Sequence, residues 1–228
     1  MKKKYHLILP VFLFLQFLAI TVYSQLADQP RGMYVDKFIT LYIDAAGKSQ
    51  LDPNLSILGV DKNPADGVFE KEIELLNFCK ENRITYLTLY DMRNLTNGDL
   101  LANNPSLYNY LNDRLCNFMT EAKNNYCINS FGAVGFTSSS FQDLVSYSSN
   151  FTVLSFTLTV AEKALLGNNA MLINAIESAS ITTTDPLFYT QQLFRFAIGI
   201  YRRNSISTTQ GHCPDFDVLN MEYEFWNR

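Results

Sequence analysis

Histidine is scarce in this 228-residue sequence, which contains only His6 and His212. So few imidazoles exclude a histidine-rich metal site and leave little room for Ser-His-Asp catalysis. The nucleotide-binding signatures GxGxxG and GxxxxGK[ST] are also missing, which argues against the nucleotide-binding α/β folds. We therefore expect no metal ion and no other cofactor.

Cysteine is too sparse for a disulfide-dense scaffold, and no pair has the Cys-x-x-Cys spacing of a zinc site. Cys79 and Cys116 fall on the apolar faces of predicted helices, where cysteine acts as a small core residue. Cys127 and Cys213 each precede a predicted strand. If those two strands are neighbours, a disulfide between Cys127 and Cys213 is geometrically allowed.

Positive charge is not in excess, because 18 lysines and arginines face 22 acidic residues and give a net charge of −4. This balance provides no basic face for nucleic acid. Aromatic residues, in contrast, are abundant at 14% of the chain. Such rings mostly fill cores, and in exported carbohydrate-handling proteins they also stack on sugars.

The N-terminus carries a secretory signal. Lys2 to Lys4 precede the apolar stretch from Leu7 to Val22, and short residues around Ser24 suit a signal peptidase. The apolar run is shorter than the roughly 20 residues that a spanning helix needs. We predict a signal peptide over residues 1–24, cleavage before Gln25, and a secreted, periplasmic or cell-surface protein with no membrane span thereafter.

Predicted strands alternate with predicted helices through the remaining domain, residues 25–228. Such alternation indicates a parallel sheet with helical crossovers, either a (β/α)8 TIM barrel or an open parallel α/β sheet. Residues 136–183 fit this alternation poorly and are interpreted as an insertion, helical over 161–179 with a break near Gly167. The predicted strands are 32–38, 84–90, 128–134 and 216–226, and the other predicted helices begin at Asp66, Pro105 and Pro186.

The last predicted strand has one apolar and one polar face. A central strand of an open sheet is covered on both faces, whereas a barrel strand turns one face to the helices and the other to the lumen. The pattern therefore favours a barrel. The apolar set is Leu219, Met221, Tyr223 and Phe225, and the polar set is Asn220, Glu222, Glu224 and Trp226.

Glu222 and Glu224 are the predicted catalytic pair. They lie about 7 Å apart along a strand that rises about 3.3 Å per residue. Two carboxylates this close, partly shielded from water, push the pKa of one of them upward. A glutamic acid with a raised pKa is the group that a glycosidase uses to protonate a leaving oxygen.

The same segment resembles the chitinase-like glycosidases of family 18, which carry D-x-x-D-x-D-x-E on the fourth barrel strand. Residues 217–224 read D-V-L-N-M-E-Y-E, and S-F-G-A at 130–133 is similar to the S-x-G-G of the third strand. The chain is also similar to exported bacterial proteins that end a strand in EFEFWN-like residues. The family resemblance covers roughly the first half of a barrel.

The resemblance implies a glycan-binding or glycan-hydrolysing barrel in which Glu224 is the general acid. Glu222 would take the position of the aspartate that orients the substrate acetamide. The substitutions at 220 and 222 favour a second hypothesis, a non-catalytic surface or secreted protein that binds a glycan or another protein. The predicted substrate-binding residues are Asn220, Trp226, Tyr90, Asp91 and Asp36.

Four predicted strands are half of a barrel, which leaves the last strand with an unpaired edge. We expect an N-terminal half-barrel from a truncated reading frame. Two alternatives stay open: self-association through the open strand edge, or a compact open sheet.

Overall fold

Four of the β-prone runs form one parallel sheet in the computed structural model. The structure describes residues 31–96, 99–134, 156–178, 187–205, 207–208 and 211–220. The strands are β1 (Arg31–Val35), β2 (Leu41–Ile43), β3 (Ser49–Leu51), β4 (Ile84–Leu89), β5 (Ser130–Val134), β6 (Ser207–Thr208), β7 (Gly211–His212) and β8 (Val218–Asn220). The helices are α1 (Glu70–Glu81), α2 (Asp99–Asn103), α3 (Pro105–Asn125), α4 (Val160–Leu165), α5 (Ala170–Glu177) and α6 (Phe188–Asn204), with a 3-10 turn at Met92–Leu95.

The sheet has the order β1-β4-β5-β8, in which each strand adjoins the next parallel strand along the chain. Tyr86 aligns with Ser130 in the β4–β5 ladder, and Gly132 aligns with Val218 in the β5–β8 ladder. A doubly wound sheet reverses its strand order at one point. Within the described strands no reversal occurs. The four strands form a parallel sheet accompanied by helices, so the predicted α/β class with a parallel sheet is confirmed.

Two short antiparallel hairpins, β2–β3 and β6–β7, accompany the sheet. The first lies in the segment after β1 that the sequence predicts as a long loop or small insertion. Its strands of three residues are too short to show an alternating pattern. The turn forms because the Asp44 carboxylate accepts the N–H groups of Ala46 and Lys48, while Gly47 takes a positive φ of 77°.

Local capping sets where the helices begin. Asn104 caps α3, because its side chain accepts the N–H of Leu107 and Pro105 occupies the first turn, as predicted. The predicted cap Asp66 instead accepts the N–H of Val68 in the preceding turn, so α1 begins four residues later. The predicted break near Gly167 is confirmed between α4 and α5.

One face of the sheet packs beneath α1 and α3 and forms the main core. Apolar side chains at alternate strand positions supply the sheet side, since successive residues of a strand point to opposite faces. The helices contribute Leu76, Leu115 and Phe118. Buried members from the sheet are Val35, Leu87, Leu89, Phe131 and Ala133.

A smaller apolar cluster joins residues 156–178 to α6, and it includes Phe156, Ile176 and Ile198. Buried Glu162 of α4 accepts hydrogen bonds from Arg202 of α6, and these bonds hold the pKa of Glu162 down at about 2. The predicted insertion at 136–183 is described only over 156–178, and this part is helical and packed.

A second buried carboxylate lies in the main core. Glu72 of α1 pairs with Arg114 of α3 and accepts the N–H of Gly59, yet burial raises its pKa. Arg114 also stacks over the ring of Phe69, 3.5 Å from its centroid. These contacts tie α1 to α3, and we assign Glu72 a structural role.

The disulfide joins Cys116 to Cys213, whose Cα atoms are 5.1 Å apart. The Cys127–Cys213 disulfide that the sequence left open therefore does not form, and the prediction that Cys116 is only a small core residue is wrong. Cys127 lies at a turn with a φ of 59° that leaves it exposed, whereas Cys116 lies on the α3 face that meets the segment before β8. Cys79 is a buried free thiol, as predicted.

The predicted signal peptide, residues 1–24, lies outside the described residues. Among the helices that the structure does describe, none combines the length and apolar character needed to cross a membrane.

Candidate functional site

The face of the sheet opposite the main core carries polar and aromatic side chains, and it is here called the site face. In β4, Leu87 and Leu89 point into the core, so Tyr86 and Thr88 point to the site face. In β8, Leu219 aligns with core residue Ala133, and Asn220 contacts Tyr86. Leu219 and Asn220 thus point to opposite faces, although Leu219 is 43% exposed and is not packed into the core as predicted.

Tyr86 lies across two glycines of neighbouring strands. A Cβ added at Gly32 would be 2.8 Å from Tyr86 Cδ1. A Cβ at Gly132 would collide with Tyr86 Oη and would be 2.7 Å from Asn220 Nδ2. The glycine of the S-F-G-A motif therefore has a physical reason: it leaves room for the tyrosine hydroxyl and the Asn220 carboxamide above the sheet.

Asn220 joins two hydroxyl groups on the site face. Its Nδ2 donates to Tyr86 Oη at 2.9 Å and to Thr88 Oγ1 at 3.2 Å. Because both hydroxyls accept from Asn220, each keeps its own proton, for which the described residues supply no acceptor. Both Nδ2 protons of Asn220 are used in these bonds, so Asn220 can offer a ligand only its Oδ1 as an acceptor, whereas the half-buried Tyr86 can donate its hydroxyl proton. Thr88 is only 1% exposed, so its hydroxyl serves to hold Asn220.

Two tyrosines stand at the carboxyl end of β1 and β4. The rings of Tyr34 and Tyr90 meet edge to face, with their centroids 5.9 Å apart, and Tyr34 is 65% exposed. The Tyr90 N–H donates to Val35 O, which aligns the ends of the two strands. Tyr90 is half-buried, so the exposed ring of Tyr34 supplies most of the apolar surface, with a polar hydroxyl tip.

Asp36 and Asp91 follow the same two strands. Asp36 is exposed and accepts the N–H of Lys37, whereas Asp91 takes a left-handed φ of 65° and is only partly exposed. Burial and, to a smaller extent, the charge of Asp36 raise the pKa of Asp91 to about 6, against the opposing effect of Arg93. The Asp91 carboxyl therefore exchanges its proton near neutral pH.

The structure brings Asn220 to the site face and places Tyr90, Asp36 and Asp91 together at the carboxyl edge of the sheet. The sequence analysis missed Tyr86, Thr88 and Tyr34. The alternation within ITYLTLY places Tyr86, Thr88 and Tyr90 on one face, and that signal was available. The sequence of this strand alone does not show which of its two faces the helices cover.

Asp217, the first residue of the D-x-x-D-x-D-x-E-like motif, has a structural position. Its carboxylate accepts the N–H of Phe131 at 2.9 Å, and its own N–H donates to Phe131 O at 2.8 Å. Glu222, Glu224 and Trp226 lie outside the described residues, so their predicted roles stay predictions. Within the ranges given above, no three His, Cys, Asp or Glu side chains are grouped to hold a metal ion.

In comparisons with family models, curated proteins and solved structures, none matched this chain.

Proposed function

We propose that this protein is exported and binds a glycan along the site face and the carboxyl edge of its parallel sheet. The observation that carries this proposal is the contact between exposed Tyr34 and half-buried Tyr90, beside Asp36 and Asp91. Tyrosine rings match the apolar faces of sugar rings, and carboxylates accept hydrogen bonds from sugar hydroxyls. Farther along the same face, the Tyr86 hydroxyl can donate a hydrogen bond and Asn220 Oδ1 can accept one.

We further propose that the sheet is of barrel type. The strands follow one another in chain order, as in a (β/α)8 barrel, where each βα unit adds the next strand. The site face carries hydroxyl and amide groups rather than an apolar layer, as the lining near the mouth of a barrel does. Ligands of such folds bind at the carboxyl ends of the strands, where Asp36 and Asp91 lie.

Two observations support the proposal that the protein is exported. The first is the charged and apolar pattern of residues 1–24. The second is the Cys116–Cys213 disulfide, because disulfides persist mainly in oxidising compartments. N-terminal sequencing of the protein recovered outside the cytoplasm should give Gln25 as the first residue; a retained N-terminus on recovered protein would contradict cleavage.

Binding is tested with the purified protein on a panel of chitin-type and other β-linked oligosaccharides, with calorimetry on those retained. Tyr34→Ala should weaken binding by roughly tenfold, since an aromatic contact contributes about 1 kcal/mol beyond its burial. Tyr42→Ala is the matched control, because Tyr42 is a similarly exposed tyrosine on β2. Equal effects of the two substitutions, or no binding to any glycan, would contradict the proposal.

Hydrolysis is the second candidate function, and the raised pKa of Asp91 favours it. A carboxyl that is partly protonated near neutral pH can act as a general acid. Glu224 remains the acid implied by the family resemblance, with Glu222 as its partner. Asp91→Asn and Glu224→Gln should each abolish turnover while retaining binding, if hydrolysis occurs and the substituted residue is the acid.

The remaining alternative is a non-catalytic surface or secreted protein that binds without hydrolase activity. The replacement of the family aspartates by Asn220 and Glu222 favours it. Binding of a β-linked oligosaccharide, with no release of reducing ends from it by the unaltered protein, would select this alternative.

A further inference from the structure

The segment 213–217, which leads into β8, has no regular secondary structure. Contacts with neighbouring elements nevertheless hold it in place at both ends and in the middle. The Cys116–Cys213 disulfide anchors its first residue to α3. Asp217 anchors its last residue to β5 through two hydrogen bonds with Phe131. Between these ends, α6 supplies the remaining contacts.

Arg203 and Asn204 of α6 hold the middle of the segment. Arg203 Nη1 donates to Pro214 O at 3.0 Å, and its guanidinium lies over the ring of Phe216. Asn204 makes two bonds to the backbone of Phe216, donating to its carbonyl and accepting from its N–H, each at 3.0 Å. Such a paired contact fixes both the position and the direction of the chain.

Burying a charged guanidinium costs free energy, so Arg203 would be an unfavourable residue if it only filled space. Its side chain is almost fully buried and donates also to Met119 Sδ of α3, at 3.6 Å. Burial lowers its pKa to about 10, so the guanidinium stays charged at neutral pH. A buried cation is retained where its hydrogen bonds fix a geometry, in this case that of the segment before β8.

Few contacts of the described part of β8 fix the position of this strand. It pairs with β5 over three residues, and the side chains of Val218 and Leu219 remain more than 40% exposed. Burial therefore contributes little to its position. Asn220 nevertheless has to reach Tyr86 and Thr88 across β5, above Gly132.

We propose that Arg203, Asn204 and the Cys116–Cys213 disulfide form a mount that sets the position of the Asn220 carboxamide on the site face. They are positioning residues that act through β8, and their importance for ligand binding rests on the glycan-binding function proposed above. Because the disulfide is one of the three fastenings, the site reaches its final geometry only after Cys116 and Cys213 have been oxidised.

The test follows the side-chain amide protons of Asn220 by NMR in the ligand-free protein. In Asn204→Ala, and in the double variant Cys116→Ser with Cys213→Ser, these protons should exchange with water faster, on the order of tenfold. Asn204→Asp keeps the acceptor for the Phe216 N–H and should give an intermediate rate. Cys127→Ser is the matched control for loss of a thiol and should leave the rate unchanged.

A merely stabilising role of the mount would lower the free energy of unfolding but leave the Asn220 signals of the folded protein as they are, and that result would overturn the proposal. If the double cysteine variant does not fold, the two Asn204 variants, Asn204→Ala and Asn204→Asp, decide the test. The readout needs no ligand, so unchanged Asn220 signals reject the mount, whereas absent glycan binding rejects only the proposed function.

Discussion

The two faces of the parallel sheet differ in what each strand residue contributes. On the core face, Leu87, Phe131 and Ala133 are fully buried beneath helices. On the site face, the neighbouring residues Tyr86 and Gly132 take part in a polar arrangement of hydroxyl, carboxamide and glycine. Residues one position apart in sequence thus fill the apolar core on one side and form a polar arrangement on the other.

This difference shows how a short strand can hold polar side chains on one face while its other face contributes to the core. The core face provides the apolar burial that drives folding, at about 25 cal/mol per Å². The site face is therefore free to hold groups that are poor core formers, such as Asp91 in a left-handed conformation. Substitutions on the core face should mainly lower the free energy of unfolding. Substitutions on the site face should lower it less and should change ligand binding.

Phe131→Ala should have the largest effect, because it removes a fully buried ring between the sheet and α3. We expect the free energy of unfolding to fall by about 3–5 kcal/mol. Urea unfolding measures it, with Tyr34→Ala on the site face as the comparison, expected within about 0.5 kcal/mol of the unaltered protein. Similar losses for both would contradict the division of the two faces.

Gly132→Ala should rank second. The added methyl would collide with Tyr86 Oη and crowd Asn220 Nδ2, which costs about 1–3 kcal/mol as overpacking and lost hydrogen bonds. Combining it with Tyr86→Phe removes the colliding oxygen, so the double variant should be more stable than the sum of the two changes predicts. Simple additivity would show that the methyl meets something else.

The alternation of strands and helices and the start of α3 at Pro105 could be predicted, because each depends on neighbours along the chain. The reason for the glycine in S-F-G-A could not be predicted, since Tyr86 and Asn220, which occupy the space beside it, lie on other strands. The pairing of Cys116 with Cys213 could not, since it joins residues 97 positions apart through the packing of α3. The same holds for Asp91, whose raised pKa depends on burial and on Asp36 of another strand.

Asp91→Asn should stabilise the protein above pH 6. The folded carboxyl has a pKa of about 6, whereas an unperturbed aspartate has a pKa of 3.8, so between these pH values the folded state holds a proton that the unfolded chain has lost. Stability therefore falls as pH rises from about 4 to 6 and then stays level. Asparagine tolerates the left-handed conformation and carries no charge to bury.

The expected gain for Asp91→Asn is about 1–2 kcal/mol at pH 7.5, vanishing below pH 4, measured by urea unfolding across pH. Asp36→Asn provides the control. It removes only the electrostatic repulsion between the Asp36 and Asp91 carboxylates. The decrease in stability should therefore occur at lower pH but should not disappear. A gain from Asp91→Asn that is equal at pH 3.5 and 7.5 would exclude the titration of Asp91 as its cause.

Tyr86→Phe should have the smallest effect on stability and the more specific effect on binding. It removes one acceptor of the Asn220 carboxamide and one free donor of the site face, at a cost of about 1 kcal/mol or less. Tyr110→Phe is the matched control, because it removes a tyrosine hydroxyl that donates to Gly59 O. Both should cost similar stability, whereas only Tyr86→Phe should weaken glycan binding, by roughly fivefold. If both variants bind equally well, the tyrosine hydroxyl serves only to hold Asn220 in place, and recognition then depends on the Tyr34–Tyr90 edge of the sheet.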